Sequence, residues 1–170
     1  DSLPRRRAPP TTRPSGTWIS VPASLHDSMM ARLDRHQPLK EVAQCAACIG
    51  REFPHELLAT VARMPEAGLR DTLSRLVDAE LIFRRSGAQE VYVFKHALVR
   101  DAAYESLLKS RRQEIHARIL AALETAPDTP PEILAQHATE AGFVEKAIDC
   151  WQKAGGRAIA HKLAKAGPAW

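Results

Sequence analysis

The stretch that decides the fold runs from Leu81 to Tyr104, LIFRRSGAQEVYVFKHALVRDAAY. Val91, Tyr92, Val93 and Phe94 form the one β-branched and aromatic cluster of the chain. Such side chains suit a pleated, half-buried surface. Ser86-Gly87-Ala88 is a turn signal in front of them. Ile82–Arg85 and Glu90–Phe94 therefore read as the two strands of a hairpin. Beyond it the period changes from two to that of a helix, which is expected from about Ala97 to Leu123, with Leu98, Ala102, Leu107, Leu108, Ile115, Ile119 and Leu123 as its apolar positions. The expected end lies before Pro127, Pro130 and Pro131.

Upstream of the hairpin the spacing is helical throughout. Pro38 opens a helix with Val42, Cys45, Ala46 and Ile49 on one face, ended by Gly50. Pro54 starts a short helix carrying Leu57, Leu58 and Val61, and Pro65 starts another with Leu69, Leu73, Leu76 and Val77. Earlier still, Ser24 and Asp27 make a weak capping pattern ahead of Leu25, Met29 and Leu33. Short helices followed by a two-stranded wing make the order of a winged helix, expected over residues 21–126. Residues 1–20, with Pro4, Pro9, Pro10 and Pro14 among Arg5, Arg6, Arg7 and Arg13, read as a disordered arm.

Downstream, helices are expected at Glu132–Ala141 and Val144–Ala160. Gly142, Ala147, Trp151 and Ala154 have the spacing of a tetratricopeptide-like repeat, in which small residues admit close packing and the aromatic fills the groove. A single repeat does not bury both faces, so residues 132–170 read as a truncated helical hairpin. Leu134, Phe143, Ile148 and Trp151 are expected on faces that a following repeat would partly cover. The fold class expected for the whole is mainly α, with a small β-hairpin wing.

Composition narrows the function. The 170 residues are 45% hydrophobic and 5% aromatic, with a formal net charge of +4. That is enough apolar material for a core, and too little positive charge to mark a nucleic-acid binder by itself. No apolar run has the length of a membrane span and no signal peptide is visible. Three irregularly spaced cysteines do not form a disulfide framework, so a cytoplasmic setting is expected. Cys45 and Cys48 have dithiol spacing, but they lie inside an amphipathic helix with no strand before it and no further ligand pair, and read as small core residues. His26, His36, His55, His116, His137 and His161 show no ligand spacing. There is no nucleophile motif, phosphate-binding loop or dinucleotide fingerprint, so neither catalytic nor metal-binding residues are expected. The helix between Glu66 and Glu80 sets Arg70 and Arg75 against Asp71, Asp78 and two glutamates, which disfavours DNA phosphates.

The run Phe94-Lys95-His96-Ala97-Leu98-Val99-Arg100-Asp101 resembles the Met-His-Asp motif of the STAND class of signal-transduction ATPases, in its form His-x-Leu-Val-Arg-Asp. Val21–Leu25, Arg32–Arg35, the run AACIGREF (Ala46–Phe53) and Ser110–His116 are similar to the surroundings of that motif. More narrowly, the chain resembles bacterial proteins that join a class III adenylate or guanylate cyclase to such an ATPase and a tetratricopeptide-like array. The resemblance covers residues 21–160. Ala97 stands where the motif has an aspartate, and the phosphate loop, metal-binding acid and cyclase aspartates are absent. The resemblance implies a non-catalytic regulatory fragment that couples nucleotide state to signal sensing. It implies that the winged helix packs on the parent's ATPase module around ADP, and that His96 is the nucleotide-sensing residue at the terminal phosphate. ATP and ADP would belong to the parent, with no cofactor held by the fragment alone and a protein partner on the repeats. The alternatives are a DNA-binding winged-helix regulator of the LuxR type and a structural scaffold.

Overall fold

A computed structural model describes residues 37–166. The arm at 1–20, the helix expected around Leu25 to Leu33, and residues 167–170 lie outside the described residues. The described chain is mainly helical, with seven helices and a small antiparallel sheet.

Helix α1 (Gln37–Ile49) buries Leu39, Val42, Ala43, Cys45, Ala46, Ala47 and Cys48. Strand β1 (Glu52–Pro54) follows, then α2 (His55–Ala62) and α3 (Glu66–Asp78). Pro54 and Pro65 sit immediately ahead of α2 and α3 in extended conformation, where their missing N–H removes no helical hydrogen bond. Strands β2 (Ile82–Arg85) and β3 (Val91–Phe94) form the hairpin, with Ile82 opposite Phe94 and Arg85 opposite Val91.

The expected hairpin is present, but it belongs to a three-stranded sheet in the order β1-β3-β2. Phe53 pairs with Tyr92 across β1 and β3. The Phe94 N–H donates to the Arg51 carbonyl at 3.0 Å and the His55 N–H to the Glu90 carbonyl at 2.9 Å, closing both ends of the short ladder. Three residues are too few to display a period of two, which is why β1 left no trace in the spacing.

The single helix expected over 97–123 is two: α4 (Ala97–Glu105) and α5 (Lys109–Thr125). The Ser106 hydroxyl donates to the Ala103 carbonyl at 2.7 Å and itself accepts from Gln44 of α1 at 2.9 Å. Leu108 is extended, with φ −63° and ψ 147°. The break tucks Leu107 into the core and leaves Leu108 78% exposed. Leu98, expected to face the core, is 39% exposed; Ala102 is buried as expected, and Val99 and Ala103 are buried beside it. The apolar spacing through 107 and 108 is thus satisfied by a turn rather than by a continuous stripe.

The last two helices are α6 (Pro131–Ala141) and α7 (Val144–Ala166); α7 runs six residues past its expected end at 160. Gly142 joins them at φ 81°. The Phe143 N–H reaches the Ala138 carbonyl at 2.9 Å and the Gly142 N–H reaches the Thr139 carbonyl at 3.0 Å. This pair of bonds is a Schellman cap, which needs a left-handed residue. A Cβ on Gly142 would stand 3.1 Å from Gln113 Nε2. Gly142→Ala is therefore expected to lower stability by about 1–2 kcal/mol, read as a lower urea midpoint at constant slope; an unchanged midpoint would refute the cap's importance. Trp151 does not fill the groove between α6 and α7. It is 51% exposed, with its indole N–H on Thr139 Oγ1 at 3.2 Å.

The main core gathers α1 to α5 and the sheet around Phe53, Leu58, Leu69, Leu73, Phe94, Ile115 and Ile119. A second, smaller cluster joins Leu120 of α5 to Ala138 of α6 and Ala147 of α7, with Leu134 packed against it. Helix α5 thus contributes to both clusters. No helix among the described residues is long and apolar enough to cross a membrane.

Candidate functional site

His96 stands where β3 hands over to α4. Phe94 is fully buried, and the Lys95 N–H donates to the Leu81 carbonyl at 3.0 Å, so the end of β3 is fixed. His96 itself is extended, with φ −129° and ψ 136°, and precedes the first turn of α4. Its ring is exposed and bonds to no described residue. The first turn of α4 carries no acidic side chain, so its leading amides and the positive end of the helix dipole have no local carboxylate to meet. Arg100, one turn on, bonds Asp101 at 2.8 Å, while its buried Nε has no partner. Lys95 lies 3.3 Å from Glu80. The exposed imidazole and the helix amides are donors suited to an oxyanion, while the Arg100 guanidinium is held by Asp101.

Of the exposed arginines of α3 and the hairpin, all but Arg75 meet a carboxylate. Arg70 meets Glu66 at 2.6 Å and Glu90 at 3.6 Å, Arg84 meets Glu90 at 3.2 Å, and Arg85 meets Glu52 at 2.6 Å. Cys45 and Cys48 are free thiols buried on α1. Burial pushes Cys48 up to about 12, helped by its neighbour Cys45. Thiols held protonated in this way are poor nucleophiles and behave as core side chains.

Of the histidines that looked scattered, two are brought together. His116 of α5 and His137 of α6 are both buried, with their Nδ1 atoms 2.8 Å apart. His116 Nε2 lies 3.3 Å from the Tyr104 hydroxyl, which donates to Glu140 Oε2 at 3.1 Å. The Arg112 guanidinium covers the Tyr104 ring at 4.1 Å. The available signal was helical phase. His116 falls beside Ile115, Ile119 and Leu120, and His137 falls between Leu134, Ala138 and Ala141, so each occupies the buried stripe of its helix. His55, also buried, has Nε2 3.4 Å from Glu66 but without hydrogen-bond geometry. His161 is exposed on α7, and His26 and His36 lie outside the described residues.

No family model matches the sequence. The chain is 30% identical over 156 residues to an uncharacterized protein of Rhizobium meliloti (strain 1021), an alignment that covers 86% of this chain and 15% of that protein.

Proposed function

We propose that this chain is a non-catalytic regulatory segment of a nucleotide-switched signalling protein, in which His96 reads the terminal phosphate of ADP held by a neighbouring ATPase module. The observation that carries this reading is the free, exposed ring of His96 at the N-terminus of α4, where nothing within the described chain uses its donors. A histidine retained only to cap its own helix would bond the first-turn amides, and this one does not. The order α1, β1, α2, α3, hairpin supports a winged-helix module. The glycine-linked pair α6–α7 supports the start of a tetratricopeptide-like array. Its half-exposed Phe143, Ile148 and Trp151 offer apolar surface to a further repeat or a protein partner. A STAND ATPase linked to an adenylate or guanylate cyclase, in the cytoplasm, is the parent this reading assigns. The DNA-binding alternative is disfavoured because Arg70, Arg84 and Arg85 are each tied to a carboxylate.

The test is ADP dissociation from the longer protein, wild type against His96→Ala. Losing a hydrogen bond to a charged group removes about 1.5–3 kcal/mol, so ADP should leave roughly 10- to 150-fold faster. The melting temperature of the 170-residue chain should barely move, since the ring touches nothing. Unchanged ADP release would reject the sensor role.

A further inference from the structure

The polar chain between α4, α5 and α6 has a direction that its own chemistry fixes. The Tyr104 hydroxyl has one proton, and it points to the Glu140 carboxylate, which only accepts. His116 Nε2 must therefore be the donor in its contact with Tyr104. A neutral imidazole carries one N–H, so His116 Nδ1 is bare and accepts the Nδ1–H of His137. Protons thus run one way, from His137 to His116 to Tyr104 to Glu140, and both nitrogens of His116 are committed.

This arrangement tolerates one added proton and not a second. A proton on His137 Nε2 leaves its Nδ1–H donation intact. A second proton, on His116 Nδ1 while His137 carries the first, sets two N–H groups against each other across 2.8 Å. The surroundings sharpen the difference. Burial and the nearby Arg112 oppose charge on His116, as does a charged His137. Burial opposes charge on His137 as well, and Glu140 offsets part of that. From α1 the protonated Cys48 thiol faces Tyr104 and brings no positive or negative charge. Helix α7 adds buried Ala147 and Cys150.

We propose that the His137–His116–Tyr104–Glu140 chain is an acid-released latch, holding α6 and α7 against α4 and α5 while His116 is neutral and letting them swing away when His116 is protonated. The mechanical reason is that the apolar part of this contact is small. It is built on Leu120, Ala138 and Ala147, so repulsion between two buried imidazoliums is not outweighed by hydrophobic burial. Tyr104 packs against the main core around Phe53 and Leu73, but α1 to α3 contribute none of the four groups of the chain. Release would therefore be local, and it is independent of any nucleotide bound near His96.

The experiment is hydrogen exchange on the full 170-residue chain at pH 7.5 and 4.5, corrected for intrinsic exchange. Opening of α6 relative to α1–α3 should rise by about 100-fold across two pH units below the free imidazole pKa, at up to tenfold per unit for one proton. In His116→Gln, the amide oxygen accepts from His137 and the amide N–H₂ donates to Tyr104, without titrating. That variant should lose the His116 share of the pH response, leaving only that of His137, while keeping α6 protected at pH 7.5. Equal protection of α6 at both pH values, an undiminished acid response in His116→Gln, or α1–α3 opening in step with α6 would each overturn the latch. Should His116→Gln not fold, ring nitrogen shifts of the wild type decide. His116 should remain a neutral Nε2–H tautomer at pH 5.5, and a midpoint near 6.5 would refute the proposal.

Discussion

Phe53→Ala is expected to remove about 3–5 kcal/mol of stability. Phe53 is fully buried and is the middle residue of β1. Its ring stacks on Tyr92 with centroids 6.0 Å apart and meets Phe94 at 5.4 Å. Truncation would open a cavity beneath α1 to α3 and also weaken the side-chain contacts that hold a three-residue strand in place. Natural domains have about 5–15 kcal/mol in total, so this one change should leave the fold marginal. Urea titration at neutral pH is the measurement. Phe83→Ala is the control: Phe83 is 46% exposed on β2 and should cost less than about 1 kcal/mol. Similar midpoints for the two variants would show that β1 does not anchor the core.

Stability is expected to fall by roughly 3 kcal/mol as the pH is lowered from 6.5 to 4, the value of 1.36 kcal/mol per pH unit acting over the displacement of His116. Burial, then His137 and Arg112, hold His116 down from 6.5 to about 4. The ring is only 2% exposed, so solvent screens little of this. The sign follows from proton counts. Between those two values the unfolded chain binds a proton that the folded chain refuses. The His116 contribution is therefore complete above pH 6.5 and is lost as the pH falls towards 4. His137 is displaced in the same direction by burial. Glu90 and Glu114 are held below the usual carboxylate range by hydrogen bonds from Tyr92 and Arg111; their share begins to fall only at the acid end of this window and is lost below it. Denaturant unfolding at pH 7.5 and 4.5, with His116→Gln beside the wild type, reads the difference. A wild-type stability that stays flat over that interval would rule out a buried neutral pair.

Much of the architecture was legible in the sequence. Leu69, Leu73 and Leu76 on α3, the Val91–Phe94 strand, and the prolines ahead of α2, α3 and α6 are local signals. Neighbours three or four positions apart on a helix, or a ring that locks φ, act through the adjacent chain. The placement of His96 belongs with them, because a strand ending at Phe94 and a helix starting at Ala97 leave one junction for it to occupy. Phe143, Ile148 and Trp151 are half-exposed, as expected of a face left over after one helical pair has packed, whereas Leu134, expected with them, packs against the second cluster.

The tertiary structure alone decided what depends on distant chain closing. Strand β1 exists because Arg51 and His55 find partners on the β3 edge some forty residues away. The break at Ser106 exists because Gln44 of α1 meets its hydroxyl while Leu107 turns inward. Helical phase put His116 and His137 on buried stripes but could not say that the stripes meet. Only the packing of α6 across α5 brings the two rings within hydrogen-bond distance, and only Glu140, arriving with α6, sets the Tyr104 proton and through it the tautomer of His116. The one-way order of those protons is a property of three helices in contact, since each donor is fixed by an acceptor on a different helix.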